Sequence, residues 1–290
     1  MHRGLLVVNA FLRTSKFDEL YTFLAKAAQT EGMALDVVTN AELVCALAED
    51  FDPARYAFVV FWDKDVLLAQ QLEMLGMRLF NPARSIALCD DKSRTWLVLK
   101  DTGIPMPRTI PAPMTFPAIG YPTLDFAAQI GEKLGYPVVV KECCGSFGQQ
   151  VYLCGDQQQL LDKVKELEGV PILFQQAITE SMGRDVRINV VGGQVVASIL
   201  RRSTAGDFRS NLTLGGAMEP YTPTQAEAQL AIDATRLLGL DFAGVDVLFG
   251  KDGPLLCEVN SNAHFKTTLA CTGVNMAEAI MRHIKQQIEG

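Results

Sequence analysis

The sequence predicts a mixed α/β (α+β) protein of two or three compact units around a shared cleft, and three observations carry that prediction. The 290 residues are too many for one small domain, and their 49% apolar and 20% charged content supplies material for several cores. Residues 1–90 alternate apolar runs with amphipathic helical stretches, the order of a small parallel α/β unit. Residues 181–290 contain two apolar runs, each folded back on itself at a glycine-containing turn, the pattern of antiparallel hairpins.

Taken in order, Leu5–Ala10 and Leu35–Thr39 read as buried strands, with an amphipathic helix over Phe17–Thr30 between them. Tyr56–Phe61 is a third strand, and Val66–Leu75 the helix after it. No glycine fingerprint follows the first strand. Asn9-Ala10-Phe11-Leu12 stands there instead, which excludes a standard nicotinamide-binding turn. A helix over Asp90–Lys100 is stopped by Gly103, Pro105 and Pro107, and Pro105–Pro122 reads as a connecting loop. The helix Leu124–Leu134, the strand Pro137–Lys141, a glycine loop and the strand Val151–Leu153 follow. Asp156–Glu168 is a helix and Ile172–Gln176 a strand. Arg184–Val191 and Gln194–Arg201 form a hairpin about Gly192-Gly193. The helix Thr224–Leu238 leads to a second hairpin, Gly244–Phe249 and Leu255–Asn260, about Lys251-Asp252-Gly253, and a helix over Asn275–Gln287 closes the chain. The expected units are 1–90, 91–180 and 181–290.

A net charge of −7 and a pI near 5.1 argue against broad nucleic-acid binding, which needs Lys and Arg to displace counterions. The apolar start is too short for a secretory segment, and no run approaches the ~18 residues of a membrane span. Seven cysteines, an odd number without a C-x-x-C pair, give no disulfide framework or zinc site. The expectation is a reduced, soluble, cytoplasmic protein. Cys143 and Cys144 read as small buried residues.

Chemistry concentrates in three places. Asp246 sits mid-strand among Val245, Val247, Leu248 and Phe249, where a carboxylate is costly unless paired or bound to metal. Folding about Lys251-Asp252 sets it opposite Glu258, and Asn260 shares the face of Glu258. Three oxygen donors on one side of a sheet suit magnesium, although the polar side of a half-buried hairpin has the same composition. Lys141 ends an apolar strand before Gly145-Ser146-Phe147-Gly148-Gln149-Gln150. Glycines let backbone N–H groups approach a polyphosphate beside the lysine charge, though an ordinary turn reads the same way and the Walker spacing is missing. Third, Asp185, Arg187 and Asn189 alternate with Val186, Ile188 and Val190, and Arg201, Arg202 and Arg209 follow. Guanidinium groups suit carboxylates and phosphates; for Arg202 a solvated strand end is the plainer reading.

From about Asp91 onward these segments, together with several others, resemble the ATP-grasp ligases. Asp91-Lys92 with Thr95, Leu97 and Gly103-Ile104-Pro105 looks like the entry helix of that superfamily. Val138-Val139-Val140-Lys141 with Gly145-Ser146-Phe147-Gly148 looks like its phosphate-covering lid. Gln175-Gln176-Ala177-Ile178, Glu180 and Gly183-Arg184-Asp185-Val186-Arg187 resemble the adenine-contacting hinge and the strand after it. Gly244-Val245-Asp246 and Glu258-Val259-Asn260 match its magnesium ligands. Asp207-Phe208-Arg209-Ser210-Asn211 followed by Gly215-Gly216 is the most specific piece and is similar to the RimK-type α-L-glutamate ligases.

The resemblance implies an ATP-grasp fold: a Rossmann-like preATP-grasp domain at 1–90, a central lobe with the lid at 91–180, and a lobe with the metal site at 181–290. It implies an ATP-dependent carboxylate–amine ligase that works through an acyl phosphate. Such an enzyme adds glutamate or a similar amino acid to a peptide, a protein C-terminus or a small carboxylate. ATP is its co-substrate, magnesium or manganese its metal, and a homo-oligomer its expected state. Residue by residue, Lys141 is expected on the ATP phosphates with Gly145 and Ser146 of the lid. Gln176, Ala177 and Ile178 fall at the adenine, and Asp185 at the ribose. Arg209, Ser210 and Asn211 fall at the triphosphate or activated carboxylate, Arg201 at the transferred phosphate, and Asp246, Glu258 and Asn260 at one or two magnesium ions.

The chain departs from the family after its metal ligands, with Ser261-Asn262-Ala263-His264-Phe265 where Ser-Pro-Gly is common, and it has Trp96 where some relatives carry a lysine. Lys100, one helical turn on, is a weak substitute. His264 invites a general-base role, while packing or hydrogen bonding is the plainer reading of a lone histidine. A ligase for an amino-group carrier protein or a dipeptide, and an ATP-binding regulator without catalysis, are the rival functions.

Overall fold

The computed structural model describes residues 1–12, 15–48, 51–145, 148–204, 206–210 and 216–290. The chain opens with β1 (Arg3–Val8), α1 (Ser15–Thr30), β2 (Ala34–Thr39), α2 (Asn40–Leu47), β3 (Phe58–Trp62), α3 (Val66–Met74) and β4 (Leu79–Phe80). Their strands form a parallel sheet in the order β2-β1-β3-β4. β1 and β3 are buried almost throughout, as continuous apolar runs covered on both faces must be. The sequence shows no stripe for α2, which buries only Leu43; a capping box between Thr39 and Glu42 starts it.

α5 (Lys92–Leu99) is the helix expected over Asp90–Lys100, and α4 (Ala83–Asp90), which the sequence did not announce, precedes it. Asp91 divides them. Its backbone is extended (φ −113°, ψ 109°), and its carboxylate accepts from the Ser93 amide at 2.9 Å, capping α5.

β5 (Thr109–Pro111), α6 (Asp125–Leu134), β6 (Val138–Glu142), β7 (Val151–Cys154), α7 (Gln157–Glu166) and β8 (Ile172–Gln176) build a second sheet, antiparallel, in the order β5-β8-β6-β7. Val138, Val140 and Phe174 on the strands meet Ile130, Leu160 and Val164 on the helices. β5 lies within the stretch expected to be a loop, because three residues give no readable period. Cys143 is buried as expected, whereas Cys144 is exposed. The strand has ended at Glu142, so Cys144 lies in the turn beyond it, where strand alternation no longer holds.

The third sheet comprises β9 (Arg184–Val191), β10 (Gln194–Ser203), β11 (Gly216–Pro220), β12 (Phe242–Gly250) and β13 (Gly253–Asn260), in the order β11-β10-β9-β12-β13. α8 (Gln225–Leu237) precedes β12, and α9 (Lys266–Thr272) and α10 (Met276–Glu289) follow β13. Gly192 and Gly193 both take positive φ (56° and 74°), as the tight β9–β10 turn requires. Val186, Ile188, Val190, Val245 and Val247 pack with α8, so alternation sends Asp185, Arg187 and Asp246 to the opposite face.

The first and third sheets share a core. Met281 and Ile284 of α10 cluster with Leu6, Leu24 and Phe58 of the first unit and with Val191 and Phe242 of the third sheet. Asn81, fully buried, joins the same units by polar contacts. Its Nδ2 donates to Phe242 O and Ser261 O, both at 2.9 Å, and its Oδ1 accepts from the Asp241 amide at 2.7 Å. This contact fixes where the segment after β13 meets the end of β4.

Candidate active site

The free face of the third sheet, the ends of β6 and β8, and the C-terminal ends of β1 and β3 enclose a cavity of about 730 Å³. Ligands of open α/β sheets gather outside the carboxyl ends of the strands, where Asn9 and Asp63 stand here.

Its floor is a ladder of alternating charge. Asp185 faces Arg201 across β9 and β10, and Arg187 faces Asp246 across β9 and β12. Arg201 reaches Asp185 at 2.5 and 2.7 Å and Asp246 at 2.9 Å. Arg187 forks onto both Asp246 oxygens, with Nη2 at 2.9 Å from Oδ2. Burial opposes the charge of Asp246, yet the Arg187 and Arg201 guanidinium groups hold its carboxyl below the usual carboxylate range. Burial likewise opposes the charge of Arg201, and Asp246 and Asp185 outweigh it, raising its pKa.

Register brings Glu258 directly opposite Asp246, as the hairpin spacing predicts. A β-bulge then intervenes: Asp246 pairs Glu258, but Val247 pairs Leu256, so Cys257 is the extra residue. The bulge lets Leu256 stay in the core while Cys257 and Glu258 both line the cavity. Cys257 Sγ lies 3.8 Å from Lys141 Nζ; burial pushes the thiol up to about 11, although the lysine charge works the other way. Among the described residues the Glu258 carboxylate has no hydrogen-bond or ion-pair partner. Asn260 donates from Nδ2 to Gly244 O at 3.4 Å. Asp246, Glu258 and Asn260 present oxygen donors, which suits a hard cation such as magnesium, with Glu258 the carboxylate that no arginine holds. Among the described residues no three His, Cys, Asp or Glu side chains form a complete cage. An ion held here would share its shell with phosphate oxygens and water.

Of the residues singled out in the sequence, Lys141, Gln176, Ile178, Asp185, Arg201, Arg209, Ser210, Asp246, Glu258 and Asn260 line this one cavity. Ala177 and Gly145 are not on its wall. Ser146 and Asn211 lie outside the described residues. Arg209 is ion-paired to Asp207 at 2.7 Å and donates to Gly148 O at 2.8 Å, tying its own loop to the glycine turn.

Several lining residues that the sequence did not mark for the site bear on its chemistry, Lys92, Arg187, Asp63 and Asn262 among them. Lys92 reaches Gly145 O at 3.4 Å and faces the cavity, whereas Lys100 stacks over Trp96 and pairs with Asp101 outside it. Asp91 caps α5, and Lys92 is the first residue of that helix, at the edge of the cavity. Arg187 stood out only as one member of an alternating strand, and Asp63 and Asn262 come together only through the fold. His264 lines the same end and meets the Phe17 ring edge-on at 5.5 Å.

A family model described as the RimK-like ATP-grasp domain matches residues 89–284. Human N-acetylaspartylglutamate synthase A is 41% identical over 205 residues, which is 70% of this chain and 51% of that protein. The chain therefore spans about half the length of that relative. A probable α-L-glutamate ligase 1 from a Shewanella species is 33% identical over 94% of both chains. Among solved structures, the ATP-grasp ligase PsnB, complexed with a phosphomimetic variant of its minimal precursor, Mg and ADP, matches with a TM-score of 0.70. That match covers 99% of both chains at 17% identity, which shows a common fold.

Proposed function

The chain belongs to the RimK-like ATP-grasp family, and from that premise we propose that it is an ATP-dependent ligase joining the amine of glutamate, or a similar amino acid, to a carboxylate. The observation that carries this reading is the convergence in one cavity of Lys141, the Asp185–Arg201–Asp246–Arg187 ladder and the unpartnered carboxylate of Glu258.

A carboxylate resists attack by an amine because its charge repels the nucleophile and oxide does not leave. In the proposed reaction an oxygen of the acceptor carboxylate attacks the γ-phosphorus of ATP and ADP departs. The amine, as its neutral form, then attacks the acyl carbon, the C–O bond breaks, phosphate leaves with its electron pair, and the nitrogen passes its surplus proton to the departing phosphate or to solvent. Lys141 and Lys92 supply positive charge to the phosphates, and Arg201, held rigid by Asp185 and Asp246, faces the oxygen on which charge accumulates. Magnesium, or manganese in its place, would be held by Asp246, Glu258 and Asn260 and supplies charge neutralisation when bound. Gln176 and Ile178 border the adenine in this reading, with Asp185 toward the ribose and Arg209 and Ser210 on the triphosphate side. The glycine turn joined to Arg209 covers the phosphates and excludes water. All seven cysteines are unpaired, which suits a reducing cytoplasm.

The deciding measurement is ADP release from magnesium–ATP across a panel of peptides ending in glutamate, small dicarboxylates and amino acids, with mass analysis of the products. Release that requires both an acid and an amine, with the mass of their condensation product, is expected. Tight ATP binding with no turnover on any pair would overturn the reading in favour of a nucleotide-binding regulator.

A further inference from the structure

The end of the cavity beyond β13 holds an anion without a counter-charge. Asp63 directly follows β3, lines the cavity and is 6% exposed. Its carboxylate accepts from Asn9 Nδ2 at 3.1 and 3.3 Å and from the Lys64 amide at 2.7 Å, both uncharged donors. The Lys64 ammonium turns instead to Asp90. Among the described residues no cation pairs with Asp63, and Asp65 adds repulsion. A carboxylate so placed is costly unless something cationic joins it.

Beside it lies a second unanswered acceptor. Asn262 Nδ2 donates to Asp63 O at 2.6 Å, which fixes the amide orientation, and Asn262 Oδ1 is buried with no donor. A ligand that satisfies both oxygens must carry several N–H donors and a positive charge, the description of a primary ammonium group. On the other side of this segment stands Arg187, whose Nε and Nη2 hold Asp246 while Nη1 points away from that pair. A Cβ on Gly244 would stand 3.1 Å from Arg187 Nη1 and 2.5 Å from Ala263 Cβ, so the guanidinium and Ala263 both border the bare Gly244 backbone. Anion and cation thus flank residues 262–264, as a zwitterion requires.

We propose that Asp63 and Asn262 seat the ammonium group of the incoming α-amino acid, with Arg187 toward its carboxylate. The inference rests on the ligase reading above and assigns its amine substrate a place. Asn262 lies two residues past Asn260, in the turn that follows β13, and so at most about 7 Å from it along the chain. An amine held there is within one side-chain length of the groups that handle the activated carboxylate.

The test compares two nucleophiles on the same acceptor and ATP. Glutamate carries an ammonium group, whereas hydroxylamine is largely uncharged at neutral pH and yields a hydroxamate from the acyl phosphate. In Asp63→Asn the ratio of kcat/KM for glutamate to that for hydroxylamine is expected to fall about 10- to 100-fold, the loss of a charge-assisted hydrogen bond. Asn262→Ala, which removes the second acceptor together with the Nδ2 bond to Asp63 O, is expected to lower the ratio several-fold, and it carries the test alone should Asp63→Asn not fold. An unchanged ratio, or an equal fall with both nucleophiles, would overturn the ammonium seat while leaving the ligase intact. If the unsubstituted protein forms neither amide nor hydroxamate, the ligase reading fails and the seat with it.

Discussion

Arg201 and Glu258 line the same cavity and differ in what each does for the fold. Arg201 is 7% exposed and carries the counter-charge of two buried carboxylates, Asp185 and Asp246. Arg201→Met is expected to destabilise the protein by about 3 kcal/mol at neutral pH, because removing one partner strands buried charge; denaturant unfolding measures it. Glu258 has no partner to strand. Glu258→Ala should leave stability within about 0.5 kcal/mol yet abolish ADP release, and substantial remaining turnover would remove it from the site. Asp63 carries the pH dependence. Burial holds its folded pKa above the ordinary carboxylate range, against a weaker opposing pull from Asn9. A raised carboxyl pKa means the folded state disfavours the charged form. The contribution of Asp63 to the stability of the ligand-free protein therefore falls as pH rises from the ordinary carboxylate range through the raised value. Asp63→Asn should consequently have the higher Tm at pH 8 and lose that advantage in acid, and thermal scans at the two pH values decide it.

Single elements owe their positions to contacts that the local sequence does not announce. Asn81 donates to Phe242 O and Ser261 O and accepts from Asp241 and Phe242 amides, so all four of its hydrogen-bond positions are filled. Asn81→Ala leaves buried backbone groups without partners and is expected to cost more than about 2 kcal/mol. It should also weaken the glutamate reaction more than ATP binding, since it frees the segment that carries Asn262; titration of ATP beside amine kinetics separates the two effects. The hairpin of β12 and β13 was readable as a hairpin, and the opposition of Asp246 to Glu258 with it. The bulge at Cys257 was not, because a one-residue insertion leaves the residue types unchanged and shifts only which face they occupy.

At the scale of the molecule, the first unit and the third sheet close on one core through α10. Ile284, fully buried there, shares a cluster with Leu6, Leu24 and Phe58. Ile284→Ala should cost about 2–5 kcal/mol and destabilise both units together rather than release one. Trp62, stacked on Phe242 with centroids 5.5 Å apart, reports on that junction by fluorescence. Its change should coincide with the loss of far-ultraviolet circular dichroism. Two separated transitions would contradict a shared core.

The sequence by itself determined the strands and helices long enough to show a period, the two hairpins with their glycine turns, and the chemical types at the site. Lys141, Arg201, Asp246 and Glu258 were legible because a charged residue inside an apolar strand carries its own signal, and the ordered motifs added the family. Tertiary structure alone decided which charges neutralise one another, that Lys92 rather than Lys100 faces the cavity, and that Asp63 meets Asn262 across 199 positions. The physical reason is range. Periodicity and turn chemistry act over a few residues, whereas counter-charge and hydrogen-bond satisfaction depend on which distant segments packing brings together.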